Sequence, residues 1–287
     1  MNRIHILVIF FFLFSFSNAH SAEKLIYDGT LYIKKPDLEK CGFLSTYTVY
    51  EHFVFDIKDA KKRSKEQLPN IDLIREQIQA SKNNELIILD IESWPVTFYR
   101  RHKSVIDISK HNYLTTLQHF REEGPNKKFG YFGVVPTHSP KALVSNDGEP
   151  QYEEMQEDND NLNELANEVD VIFPIGYTFS RNVEDWKKAV ATQINEARRL
   201  APQKKVIVYL WPQYADYGLI DKSLKLKWIE ASFWRTQIEF SLANADGIIV
   251  WGGWNGKKMP WNRNASWWKI LKEYLPNATY VKYSGNC

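Results

Sequence analysis

The feature that most limits how this chain can fold is a repeated alternation of short apolar runs with segments of helical period. Runs of strand length occur at Leu86–Leu89, Lys128–Pro136, Val171–Tyr177, Lys205–Pro212 and Gly247–Trp254. Between them, Ile71–Ala80, Ile108–Arg121, Leu162–Val169, Val183–Leu200 and Leu224–Ala243 repeat apolar residues at spacings of three and four, the period of an amphipathic helix. Lys24–Ile33 and Thr46–Asp56 add two strand-like stretches ahead of them. Strands separated by helices predict a parallel sheet with helical crossovers. About seven such strands in one chain predict an α/β fold of the TIM-like (β/α) barrel type, in a single domain. A doubly wound sheet is disfavoured because no glycine-rich phosphate loop follows the first strand. Thr137–Asp160, polar and rich in acidic residues, reads as a long loop, and Lys58–Gln67 as a solvated basic helix face.

The first 22 residues read as an export signal, leaving 23–287 for the barrel. Arg3 precedes a nine-residue apolar run, Ile6–Phe14, and small residues follow at Ser17, Ala19, Ser21 and Ala22. The expected product is secreted or periplasmic; an uncleaved N-terminal anchor is the other reading. No second long apolar segment predicts an integral membrane span. With a net charge of +2 the chain has no strong field for nucleic acid, and its 44% hydrophobic content separates it from disordered chains. In an oxidising compartment Cys41 and Cys287 can pair; two free thiols are the alternative. Two cysteines alone do not make a structural zinc site, and no cofactor is expected. Asn264-Ala265-Ser266 and Asn277-Ala278-Thr279 are glycosylation sequons if the host modifies them.

The candidate chemistry lies in Glu85–Pro95, ELIILDIESWP. Side chains alternate along a strand, so Asp90 and Glu92 point to one side, about 6.5–7 Å apart at Cα. Two carboxylates there are costly to bury without a purpose. Such a pair divides its labour, one member protonated and the other ionised. In a β/α barrel, chemistry takes place at the strand C-termini. Tyr177, Tyr209 and Trp251 close three other strands, and Trp94 follows the pair. Aromatic faces at such positions suit the flat faces of sugars.

These motifs, in this order, resemble the hyaluronidase family of glycoside hydrolases. The residues that carry the resemblance are Asp90-Ile91-Glu92-Ser93-Trp94-Pro95, Phe173-Pro174-Ile175-Gly176-Tyr177, Glu196-Ala197-Arg198, Val206–Tyr209 and Ile248–Gly252. The chain departs from the family pattern where Leu210-Trp211 replace an Arg after the pocket Tyr, and where no Arg stands between Trp94 and Pro95. The animal enzymes' cysteine framework is also missing. The resemblance implies a retaining, substrate-assisted hydrolase of an N-acetylhexosamine-containing, hyaluronan-like glycan. Glu92 would be the acid/base and Asp90 would stabilise the acetamido group, its charge helping to keep Glu92 protonated. Tyr177, Tyr209 and Trp251 would wall the acetamido pocket. Arg101, within the basic run Arg100–Lys103, would meet uronate groups if that run lines the groove. A glycan-binding protein on the same scaffold, without turnover, is the alternative.

Overall fold

The computed structural model describes residues 24–55, 67–97, 102–139, 142–218 and 221–275. The export signal, most of the basic run 58–67, Arg101, the second sequon and Cys287 lie outside the described residues. Seven parallel strands form the sheet: β1 (Leu25–Thr30), β2 (Leu44–Tyr50), β3 (Leu86–Asp90), β4 (Lys128–Tyr131), β5 (Val171–Ile172), β6 (Lys205–Leu210) and β7 (Gly247–Gly252). Their order is β4-β3-β2-β1-β7-β6-β5. The two end strands meet, so the sheet curls into a barrel. Phe132 bridges Phe173, and the Asp170 N–H donates to the Phe129 carbonyl at 2.8 Å. Gly130 makes this seam possible, because a Cβ there would lie 2.2 Å from the Val171 carbonyl oxygen. Any other side chain would push the two strands apart.

Helices α1 (Ile71–Ala80), α2 (Lys103–Glu123), α3 (Pro150–Asn161), α4 (Asn163–Glu168), α5 (Val183–Leu200), α6 (Ala231–Asn244) and α7 (Ser266–Leu271) surround the barrel. The best-signalled helices match their expected bounds. Asn70 caps α1 by accepting the Asp72 and Leu73 N–H groups. Asn182 caps α5 by accepting those of Glu184 and Asp185, at 3.0 and 3.2 Å. Such caps contribute about 1 kcal/mol each. The inward stripe of α5 includes Trp186, Val190, Ile194 and Ala197, all buried.

Two expectations are corrected. Thr137–Asp160 is not a structureless loop, since α3 occupies its second half. Pro150 starts α3 at its first turn, where a missing N–H costs nothing. The expected helix Leu224–Ala243 begins only at Ala231. Leu226 takes φ 59°, and Trp228 pairs in an antiparallel bridge with Gln213 instead of joining the helix. No helix among the described residues is long and apolar enough to cross a membrane.

Candidate active site

The barrel interior is built from alternate residues of each strand. On β3, Ile87 and Leu89 pack outward against the helices, while Leu86 and Ile88 pack inside the barrel. Asp90 and Glu92 continue the inward row. Ile207 and Tyr209 form the inward row of β6, continued by Trp211; Val171 is that of β5, continued past the strand by Phe173, Ile175 and Tyr177; Ile249 with Trp251 is that of β7. The lower positions are apolar and fill the core. The upper ones are polar or aromatic and surround a cavity of about 370 Å³ at the strand C-termini.

Asp90 and Glu92 lie on this cavity and share a hydrogen bond. Burial pushes the Asp90 carboxyl well above the usual carboxylate range; the charge of Glu92, its hydrogen bond and the more distant Glu51 add to the shift. Burial thus favours the protonated form of Asp90. This reverses the expected resting arrangement, in which an ionised Asp90 kept Glu92 protonated. The reason is depth: Asp90 is the last residue of β3, whereas Glu92 stands beyond the strand and is exposed.

Tyr177, Tyr209 and Trp251 wall the same cavity, as does Tyr50. Tyr50 pairs with Asp90 in the β2–β3 register and hydrogen-bonds Trp251. Tyr209 stands against Phe132, ring centroids 4.7 Å apart, and hydrogen-bonds Thr48. Burial raises the Tyr177 and Tyr209 phenols, and the Asp90 charge raises them further. Both stay protonated and available as donors. Trp211 fills the next inward position after Tyr209, fully buried and edge-on to Trp251 at 4.6 Å. The arrangement is an aromatic pocket with a carboxyl pair on one wall. It can hold the apolar face and acyl group of a sugar while supplying a proton to a neighbouring oxygen.

Two supports hold the site. Glu51, in the short turn after β2, accepts the backbone N–H groups of Glu92 and Ser93 at 3.1 and 3.0 Å, and the Ser93 hydroxyl at 2.6 Å. The Thr137 N–H on the cavity wall donates to Asn159 Oδ1 at 2.8 Å, and Asn159 Nδ2 donates to the buried Glu196 at 3.0 Å. Arg199 closes the chain with two bonds to Glu196, at 2.9 and 2.8 Å. His138 also lies on the cavity; burial lowers its pKa, so its ring is neutral.

Six of the residues singled out in the sequence, Asp90, Glu92, Trp94, Tyr177, Tyr209 and Trp251, thus line one cavity. Trp94 is nearly all buried, edge-on to Phe55 and Tyr113, and its indole N–H has no partner among the described residues. Arg101 lies outside the described residues. Cys41 is buried and not a free thiol, while its expected partner Cys287 is outside the description. Sequence reasoning missed Tyr50, Glu51, Trp211, Asp216 and Tyr217. The inward period of two would have found Tyr50 and Trp211, but nothing in the sequence signals Glu51. Among the described residues, no group of three His, Cys, Asp or Glu side chains could hold a metal ion.

No protein-family model matches the chain, and no curated protein matches it. Among solved structures, the chain is similar to bee venom hyaluronidase, with a TM-score of 0.63 and 16% identity over 91% of this chain and 100% of that one. The same bee enzyme in complex with a hyaluronic acid tetramer gives a TM-score of 0.58 at 16% identity, covering 91% of this chain and 99% of that one. At this identity the likeness establishes a shared barrel architecture.

Proposed function

We propose that this protein is an exported glycoside hydrolase that cleaves an N-acetylhexosamine-containing glycan with retention, using the substrate's own acetamido group as nucleophile. The observation that carries the reading is the hydrogen-bonded Asp90–Glu92 pair facing an aromatic pocket. In two-carboxylate glycosidases the carboxyl groups flank the scissile bond, about 5–5.5 Å apart when one is the nucleophile and about 6.5–9.5 Å apart when a water intervenes. Hydrogen-bonded carboxyls leave no room for an anomeric carbon between them. Both act from one side of the bond, which fits a nucleophile supplied by the substrate.

The sequence of events follows from electrostatics. The acetamido oxygen attacks the anomeric carbon, and positive charge grows on the acetamido group beside Asp90. That charge favours an ionised Asp90, so the shared proton moves to Glu92. Glu92 gives it to the leaving glycosidic oxygen and afterwards takes a proton from the incoming water. Asp90 stabilises the cyclic cation in between. Tyr177 and Tyr209 donate to the acetamido group or wall it, and Trp251 lies beneath its methyl group. Bee venom hyaluronidase, similar in fold, has been solved with a hyaluronic acid tetramer, which agrees with a carbohydrate ligand for this barrel.

The test is release of reducing ends from a panel of N-acetylhexosamine polymers. Wild-type protein should release them and Glu92→Gln should not. Equal release by both would remove Glu92 from the chemistry. Glycan binding without release by the wild type would turn the reading toward a binding protein.

A further inference from the structure

The cavity carries a third carboxylate that the proposed chemistry does not use. Asp216 lies on its wall, half-buried, and makes no hydrogen bond or ion pair with any described residue. The backbone leading to it is fixed. The Ala215 N–H donates to the Thr178 carbonyl at 3.0 Å and the Tyr214 N–H to that of Lys227 at 2.9 Å, and the Tyr214 hydroxyl donates to Glu230 at 2.7 Å. Ala215 and Tyr214 are themselves buried. A carboxylate held on such a support, facing a cavity and without a donor among the described residues, is set up to accept donors from outside.

We propose that Asp216 is a substrate-binding carboxylate of this cavity. It selects a glycan whose sugar at that wall offers hydroxyl or ammonium donors, and it rejects one that offers a uronate. The inference rests on the glycan-site reading above and names the substrate class within it. The charge distribution around the cavity agrees. Its ionisable lining among the described residues consists of Asp90, Glu92, Asp216, neutral His138 and tyrosines, with no Lys or Arg. Tyr217 lines the same cavity, and its phenol is raised by burial and then by Glu92, Asp216 and Asp90. Trp211 fills the neighbouring inward position with an apolar ring. A uronate entering here adds negative charge to a confined site already carrying it, with like charges close together. Sugar hydroxyls and free amino groups meet acceptors instead. The basic run Arg100–Lys103 makes the opposite prediction, and one measurement decides between them.

That measurement compares kcat/KM for oligomers of N-acetylglucosamine, the same oligomers partly N-deacetylated, and hyaluronan oligosaccharides of equal length, at low ionic strength. Wild type and Asp216→Asn are used, and direct binding of the three ligands is measured with Glu92→Gln and Glu92→Gln/Asp216→Asn. Circular dichroism checks that the near-isosteric change leaves the fold intact. Wild type should prefer both hexosamine ligands to hyaluronan by about tenfold or more. Asp216→Asn should lower kcat/KM on the hexosamine ligands by about tenfold and narrow the preference. Preference for hyaluronan, or an unchanged ratio in Asp216→Asn, would overturn the role of Asp216 and leave the hydrolase standing. Absence of turnover together with the predicted order of binding would do the reverse. Binding of none of the three would remove both.

Discussion

The Glu51 carboxylate holds the backbone N–H of Glu92 at 3.1 Å, across 41 residues of sequence. It holds Ser93 as well, through the N–H at 3.0 Å and the hydroxyl at 2.6 Å. The turn that carries the candidate acid is therefore pinned to the end of the neighbouring strand. Glu51 works through Glu92 rather than on the substrate, which makes it a positioning residue. Glu51→Gln keeps an acceptor, whereas Glu51→Ala removes it. Glu51→Ala should lower kcat by roughly tenfold to a hundredfold, with a smaller change in KM, because a misplaced acid loses rate more than binding. Partial recovery in Glu51→Gln supports positioning; equal loss of kcat and stability in both variants argues for a purely structural part.

The raised Asp90 carboxyl gives a stability prediction with a definite sign. Folded protein keeps this group protonated to higher pH than the unfolded chain does, where Asp titrates near ~3.9. Between those two pKa values the native state binds more protons, so stability falls as pH rises through that window. Asp90→Asn removes the penalty. It should lose activity, and its stability relative to wild type in urea titrations should increase as pH rises through that window. A relative stability that instead decreases with rising pH would show that Asp90 is ionised in the folded protein.

At the barrel seam, Gly130 leaves no space for a side chain beside the Val171 carbonyl and Phe173. Gly130→Ala should destabilise by about 1–3 kcal/mol, read as a lower denaturation midpoint. A midpoint equal to that of wild type would mean that β4 and β5 have slack the geometry does not show.

The chain from Thr137 through Asn159 to Glu196 and Arg199 is buried for most of its length. Asn159→Ala leaves the Thr137 N–H and the Glu196 carboxylate each short of a partner, at a cost of about 1–3 kcal/mol. Since Thr137 lines the cavity, KM should rise along with the loss of stability. An unchanged KM would confine the network to stability.

Much of the barrel is legible in the sequence because its signals are local. Ile74, buried on α1, and the Val190–Ile194 stripe of α5 repeat at helical spacing, and both helices start at an Asn that caps them. Leu86–Leu89 is apolar on both faces, as a strand between a packed interior and a helix layer must be. Helix α3 is hidden for a physical reason: two of its buried residues, Asp158 and Asn159, are polar, so the apolar period is missing. The late start of α6 depends on Leu226 at positive φ and on the Gln213–Trp228 bridge, neither of which is a propensity signal. At the site, Asp90 and Glu92 are found by strand alternation. Glu51 and Asp216 become visible only when β2 and the segment after β6 are brought to the same barrel mouth. The upward shift of the Asp90 carboxyl depends on depth, which a sequence does not carry.

In the proposed reaction the substrate's acetamido oxygen, oriented by Asp90 while Glu92 supplies the proton, is the nucleophile. It is tested most directly by kcat/KM on one N-acylhexosaminide oligomer whose acyl group is acetyl, fluoroacetyl, difluoroacetyl or trifluoroacetyl. Each fluorine withdraws electrons from the attacking oxygen, so rates should fall steeply and steadily along the series. A flat series, or turnover undiminished by the trifluoroacetyl group, would rule out the acetamido oxygen and place the nucleophile elsewhere.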